Sequence, residues 1–336
     1  MLLLLLRDLQ YRRWRVGLTI ILMAIVMTLL FIMSGIVNQF NAEAGLATKQ
    51  TAGELNWVVT QGTGGPFTSP QPVTPERFAA VDGEPVLLAP SAIDDTRITL
   101  VGRAYSANNT PDLLSGRYPT AAGEVLTDDT MGLSIGDAVN FGQVSGTVVG
   151  TTTDATILAG VPVTYVSLDF AQSIAAGGQD LIVAKLTSDT PAVPDHLKVM
   201  SGDDVAAVTL LPLDGAISSI TLVQVLLWLI TIIIIAAIIY ITALERTRDF
   251  AVLKAVGGNT RNLGLSLLVQ GVFMTLIAVL LAGILQTFIA PSFPLKVRVP
   301  STAWFSIAGG AALAALVAGA AGVMKVRSTS PAEAFG

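Results

Sequence analysis

The stretch Thr242-Ala-Leu-Glu-Arg-Thr-Arg-Asp-Phe-Ala-Val-Leu-Lys-Ala-Val-Gly-Gly258 sets a dense charged patch between two of the most apolar runs in the chain, residues 222–243 and 263–289. A charged, helix-prone segment trapped between two membrane crossings needs a reason to be there. Its length and its Arg and Lys content suit a short helix on the cytoplasmic face, in reach of a partner that drives the membrane subunit from outside the chain.

Two further runs, 16–37 and 303–324, are equally apolar, and none of the four contains Asp, Glu, Lys or Arg. About 20 apolar residues cross a ~30 Å hydrocarbon core as a helix. Hydrophobic residues make up 52% of the chain and charged residues only 13%, against about 25% charged in soluble domains. Buried helices of a soluble protein keep an amphipathic stripe that these runs lack. The first run follows Arg12, Arg13 and Arg15 as a signal peptide would, but its length exceeds the ~7–15 residues of a signal core, so it reads as an uncleaved anchor.

Basic residues mark the cytoplasmic side of a membrane protein. They cluster before the first run, between the second and third (Arg246, Arg248, Lys254, Arg261) and after the fourth (Lys325, Arg327). Residues 38–217 carry a large acidic excess. The expected layout is a lead-in 1–15, amphipathic along the inner surface, and a first span 16–37. An extracytoplasmic α+β domain at 38–217 follows, then a second span 218–243 and a cytoplasmic coupling helix 244–262. A third span 263–289, an external loop 290–302, a fourth span 303–324 and a cytoplasmic tail 325–336 complete it. Both termini are then on the cytoplasmic side of a bacterial inner membrane, whose lipid surrounds the spans. The fold class is an α-helical membrane protein with four transmembrane helices and a mixed α+β domain between helices 1 and 2.

Apolar, β-branched runs predict strands near 55–60, 86–89, 98–102, 124–127, 145–151, 161–166, 181–186 and 205–210. Thr74-Pro75-Glu76 predicts a short helix to about Val81, and Ser167-Leu168-Asp169 a second through Ala175. Residues 62–75 read as a loop. In the fourth span, Gly309 to Gly322 forms a small-residue surface suited to close helix packing.

Catalytic signals are absent. The phosphate loop Gly-x-x-x-x-Gly-Lys-Ser/Thr does not occur, so any ATP and Mg belong to a separate subunit and this chain carries no cofactor of its own. The chain has one histidine, His196, and no cysteine, which leaves no catalytic or metal site to nominate. Gly132-Leu-Ser-Ile-Gly136 matches a hydrolase elbow in letters, but a strand-like 138–141 follows it and a tight turn is the better account. The acidic pairs Asp94-Asp95, Asp128-Asp129 and Asp203-Asp204 read as turns, and the acidity gives no sign of nucleic-acid binding. Uncharged spans argue against ion-coupled transport. Met27, Phe31 and Asn38 share one face of the first span with Gly35 between them, an adaptable apolar wall that a flat or greasy ligand would fit; ordinary packing is the competing account.

Glu245-Arg246-Thr247-Arg248-Asp249-Phe250-Ala251-Val252-Leu253-Lys254-Ala255-Val256-Gly257-Gly258 resembles the cytoplasmic helix of the MacB/FtsX-type (type VII) ABC transporter permeases. Gly116-Arg117-Tyr118-Pro119, Ala122-Gly123-Glu124-Val125 and the tail Ser330-Pro331-Ala332-Glu333-Ala334 are similar to other parts of that family, and the one-plus-three topology covers the whole chain. The resemblance implies a homodimer with two copies of a separate ABC ATPase. It also implies mechanotransmission, in which ATP-driven motion passes through Glu245, Arg246, Arg248, Asp249, Lys254 and Gly257. In size the chain is most like the HrtB/DevC haem-exporter branch, so the expected function is export of a hydrophobic or amphipathic compound, with haem as the favoured substrate and Met27, Phe31, Gly35 and Asn38 as candidate contacts. The alternative is an FtsX-like regulatory subunit that activates envelope hydrolases or senses peptides.

Overall fold

The computed structural model describes residues 13–62, 64–105, 111–245, 260–293 and 296–328. Most of the lead-in, the segment 246–259 and the tail from 329 lie outside them. The chain divides into two units, one made of the N-terminal part to Asn38 and the chain from Ile217, the other of Gln39–Ala216.

Among the described residues four helices are long and apolar enough to cross a membrane: α1 (Arg13–Ala52), and, later in the chain, Asp214–Glu245, Thr260–Ile289 and Ser301–Ser328. A helix satisfies its backbone internally, which hydrocarbon demands. Their contacts rest on size complementarity, since apolar side chains gain little by leaving lipid for one another. Met23, Ala24, Met27, Leu30 and Phe31 of α1 pack with Ile235, Ile239, Met274, Ala278, Ala282, Ile307, Ala311 and Ala315. The small residues receive large ones. A Cβ on Gly283 would fall inside the Trp304 indole, one on Gly310 against Trp228, and one on Gly319 against Leu268. The small-residue surface of the fourth span is therefore used in part within the chain, while Gly309 on its other side faces open space.

The second unit is built on an eleven-stranded mixed sheet. Its strands are β1 (Asn56–Thr60), β2 (Glu84–Ile93), β3 (Thr96–Gly102), β4 (Leu113–Gly116), β5 (Glu124–Asp128), β6 (Ala138–Phe141), β7 (Val144–Thr152), β8 (Thr156–Ile157), β9 (Val161–Val166), β10 (Ala184–Thr187) and β11 (Leu197–Met200). Their order is β11-β1-β10-β2-β3-β9-β5-β7-β4, with β6 beside β7 and β8 beside β9. Among the described strands only β3–β9 and β5–β7 are parallel. Successive side chains of a strand face opposite ways. Tyr165 of β9 accordingly turns to α1, while Val166 lies beside Gly102, on which Ala171 of α2 (Leu168–Ala175) rests. The core between these layers includes Trp57, Leu87, Leu88, Leu100, Val125, Leu126 and Phe170.

The strand expected at 205–210 is instead α3 (Gly202–Leu210). Ser201 accepts from the Asp204 amide at 3.2 Å while Asp204 accepts from the Ser201 amide at 3.0 Å. This capping box starts a helix whatever the β-branched content that follows. The helix expected from Pro75 is a single 3-10 turn, Pro75–Phe78. In the 62–75 loop Phe67 is buried, 5.7 Å from the Trp57 ring. The remaining long helices are α4 (Asp214–Glu245), α5 (Thr260–Ile289) and α6 (Ser301–Ser328).

The stretch 116–125 is a self-contained turn. Gly116 has φ +82°, where the Val149 carbonyl leaves no room for a Cβ. Arg117 and Glu124 form a two-pronged ion pair, one prong at 2.7 Å, and Glu124 also accepts from the Thr120 amide at 2.8 Å and the Ala121 amide at 3.1 Å. The Arg117 guanidinium and these amides hold the Glu124 carboxyl far below the usual carboxylate range.

Gly283→Ala is expected to destabilise the full-length chain in detergent by about 1–3 kcal/mol through overpacking. Gly309→Ala should leave stability unchanged or slightly higher, both read by tryptophan-monitored thermal unfolding. Because the folded Glu124 pKa is depressed, its stabilisation is present above the unfolded value of about 4.3 and is lost as pH falls toward the folded one. Glu124→Gln should therefore lower Tm at pH 7, and its deficit against the parent protein should shrink below about pH 4.

Candidate functional site

Helix α1 passes from one unit into the other without a break, and its last turns are where the sheet unit grips it. Phe40, Ala44, Ala47 and Ala52 are buried, and three polar groups along the same stretch reach the sheet and its turns. Glu43 is 1% exposed. Its Oε1 accepts from Gln39 Nε2 at 3.1 Å and Thr156 Oγ1 at 3.0 Å, and its Oε2 from the amides of Ala159 at 3.1 Å and Gly160 at 3.2 Å. Gln50 donates through Nε2 to the Thr153 carbonyl at 3.0 Å and accepts from the Tyr165 hydroxyl at 3.4 Å. Burial pushes the Tyr165 phenol up, so it stays neutral and keeps the proton it donates.

At the end of the helix, Gly53 takes φ +60° and its amide returns to the Lys49 carbonyl at 2.6 Å. That glycine stop is a common helix ending. The Thr51 carbonyl receives Arg103 Nη1, while Nη2 pairs with Glu84 Oε2 at 2.6 Å. The Arg103 side chain is fully buried, with its guanidinium 5.8 Å from the Tyr105 ring centroid. A cation at the carbonyl end of a helix is favourable, and here it is neutralised by Glu84 rather than by solvent. This clamp was not singled out from the sequence: its acceptors and donors lie on distant strands, and a lone Arg or Glu in an acidic domain carries no local signal.

The four residues nominated as substrate contacts all lie on α1, packed by residues of their own unit. Met27 and Phe31 are fully buried. The Phe31 ring lies 4.7 Å from that of Trp304. A Cβ on Gly35 would meet Val297 Cγ1 at 2.6 Å, and Asn38 Nδ2 donates to the Arg298 carbonyl at 2.9 Å. The stripe of α1 left exposed is instead Leu18, Ile21, Leu22, Ile25 and Leu29. A separate cavity of about 10 Å³ lies between α1, α4 and α5, lined by Met23, Ile239, Thr242, Gln270, Met274 and Thr275 among others. The Gln270 amide oxygen, buried in the span, has no partner among the described residues.

Of the nominated coupling residues, Glu245 closes α4 and is exposed. Arg246, Arg248, Asp249, Lys254 and Gly257 lie outside the described residues. The acidic pairs do not gather into a metal site, and no group of three metal-ligating side chains occurs among the described residues. Asp128 is buried and accepts from Thr130 and from the Ala155 amide at 2.7 Å; desolvation pushes its carboxyl up. Ser134 sits in a turn closed by Asp137, whose amide donates to the Ser134 carbonyl at 3.1 Å and whose carboxylate accepts the Ser134 amide at 2.8 Å. His196 bonds the Arg77 carbonyl through Nε2 at 3.2 Å. Neither residue shows a nucleophile–base pairing.

Residues 221–331 match the family model described as FtsX-like permease C-terminal. Over 98% of both chains, the sequence is 32% identical to one uncharacterized ABC transporter permease of Mycobacterium tuberculosis strain H37Rv and 33% identical to another. An uncharacterized ABC transporter permease of Mycobacterium bovis is 32% identical over the same share.

Proposed function

This chain belongs to the FtsX-like, type VII family of ABC transporter permeases, and from that premise we propose that it is the permease of an ATP-driven exporter working by mechanotransmission. Membership makes it a non-catalytic subunit of the cytoplasmic membrane and implies an ABC ATPase as partner. In the proposed assembly two copies of the chain stand with two copies of the ATPase, the sheet unit outside and both termini inside. The charge distribution supports that orientation, with the acidic excess in 38–217 and the basic residues around the other segments. The flank of α4 supports a second copy. Leu222, Leu226, Leu229, Ile230 and Ile233 are all exposed, and only 17% of the helix's most apolar window is covered, against 50% for α1.

The observation that carries the reading is α1 itself: one helix of 40 residues that begins as an apolar span and ends clamped by Glu43, Gln50 and Arg103. An α-helix is stiff along its axis, so in this reading α1 is the element that would carry a displacement of the span toward Glu43, Gln50 and Thr51. Motion would enter at 245–258, where Arg246, Arg248 and Asp249 pair with the ATPase and Glu245, Lys254 and Gly257 complete the coupling segment. The favoured cargo is a flat amphipathic compound such as haem. It would meet Met27, Phe31, Gly35 and Asn38 once the 296–300 segment and Trp304 move off α1.

Reversing charge at Arg246 and Arg248 together is expected to abolish stimulation of the partner ATPase by the permease while leaving the isolated ATPase rate unchanged. Intact stimulation in the double variant refutes the coupling assignment. The purified protein should shift the haem absorbance band, with a shift that weakens several-fold in Met27→Ala or Phe31→Ala; no shift at all removes haem as the cargo.

A further inference from the structure

The turn between β8 and β9 is held in an unusual conformation, and the group that holds it comes from α1. Leu158, Ala159 and Gly160 have φ values of +50°, +70° and +92°. Residues with a Cβ seldom enter this left-handed region, and each such residue persists only where its surroundings over-determine it. In a left-handed run successive amides turn toward one side and form a small anion cradle. Here the Ala159 and Gly160 amides point at Glu43 Oε2 at 3.1 and 3.2 Å. The second oxygen is occupied by Thr156 and Gln39. Among the described residues no Lys or Arg forms an ion pair with Glu43. A buried carboxylate without a cation relies wholly on such donors, so the carboxylate needs the turn as much as the turn needs the carboxylate.

We propose that Glu43 is a releasable latch, a positioning residue that holds the 158–160 turn left-handed only while α1 sits in one register on the sheet. Displacement of α1 along its axis withdraws the carboxylate. The two amides then lose their shared acceptor, the turn relaxes toward ordinary φ values, and the β8–β9 corner of the sheet unit loosens. The step has two discrete states because hydrogen bonds to one oxygen are lost together. Gln at 43 can keep one oxygen on the two backbone amides and turn its NH2 toward Gln39 and the Thr156 hydroxyl, which also accepts. The group is removed only by a side chain without an acceptor, as in Glu43→Ala.

The latch rests on the ATP-driven reading above, and amide exchange separates the two. The test uses the full-length chain with its ATPase in lipid nanodiscs, followed by hydrogen–deuterium exchange over 156–161 with and without ATP. Without nucleotide, Glu43→Ala is expected to raise exchange at Ala159 and Gly160 at least tenfold over the parent while the β3–β9 ladder keeps its protection. ATP turnover should raise exchange there in the parent and cause no further change in Glu43→Ala. Ala159→Gly, which relieves the left-handed strain and keeps Glu43, should slow exchange several-fold and keeps the test decisive if the Glu43 variant does not fold. ATP-dependent change elsewhere in the chain with 156–161 unaltered overturns the latch and leaves the exporter reading standing. Exchange unaffected by ATP throughout the chain overturns the driven motion itself. Unchanged exchange in Ala159→Gly overturns the strain.

Discussion

The carbonyl end of helix α1 and the buried guanidinium of Arg103 depend on each other, and much of the sheet unit is arranged around that contact. The last turn of a helix leaves carbonyls without intrahelical donors. Placing such an end inside a folded core requires donors that the core must supply. Arg103, directly after β3, supplies one to the Thr51 carbonyl through Nη1 and brings a charge with it, so Glu84 at the start of β2 has to stand within 2.6 Å of Nη2. Removing Glu84 would leave the fully buried Arg103 charge without its counter-ion, which is destabilising. The β2–β3 pairing thereby sets where α1 stops, and Gly53 at φ +60° turns the chain toward β1.

The four apolar helices are under a different constraint. Lipid rewards no burial of Leu or Ile, so close fit and satisfied polar groups decide which faces meet. The hydroxyls of Thr28, Thr231 and Thr275 each return to a carbonyl four residues back, at 2.7, 2.7 and 2.8 Å, and Thr28 Oγ1 also lies 3.4 Å from the Ala282 carbonyl of α5. What remains is shape, with indole and isobutyl groups entering glycine notches on α5 and α6.

The helices of the membrane unit were legible because twenty uncharged residues in a row have few other uses, and most strands because β-branched runs ended at Gly, Pro or Asp. Three kinds of information were not legible. The box at Ser201 and Asp204 overrode the β-branched run that followed it, although its spacing was visible. The passage of α1 beyond residue 38 was hidden because Glu43, Lys49, Gln50 and Thr51 interrupt the apolar pattern, and the partners of Glu43, Gln50 and Thr51 lie on β8, on β9 and at Arg103. The face carrying Met27, Phe31 and Gly35 had the right spacing, but spacing alone does not reveal that Trp304, Val297 and Val299 cover it. The segment 246–258, whose letters speak most clearly of family, is placed by its chemistry alone.

The sheet's order carries a consequence for how the protein is made. Strand β1 is among the first parts of its unit to leave the ribosome, yet its hydrogen-bonding partners are β10 and β11 at the far end of that unit, with Asn56 facing Thr187 and Trp57 facing Met200. Contacts so distant along the chain form slowly. Translation of nearly the whole unit must therefore precede closure of its edge, and by then α4 is about to enter the insertion machinery. Until that moment β1 is an unpaired, apolar strand in need of protection. That delay spans the synthesis of residues 61–183, and a sheet of sequential hairpins would impose none.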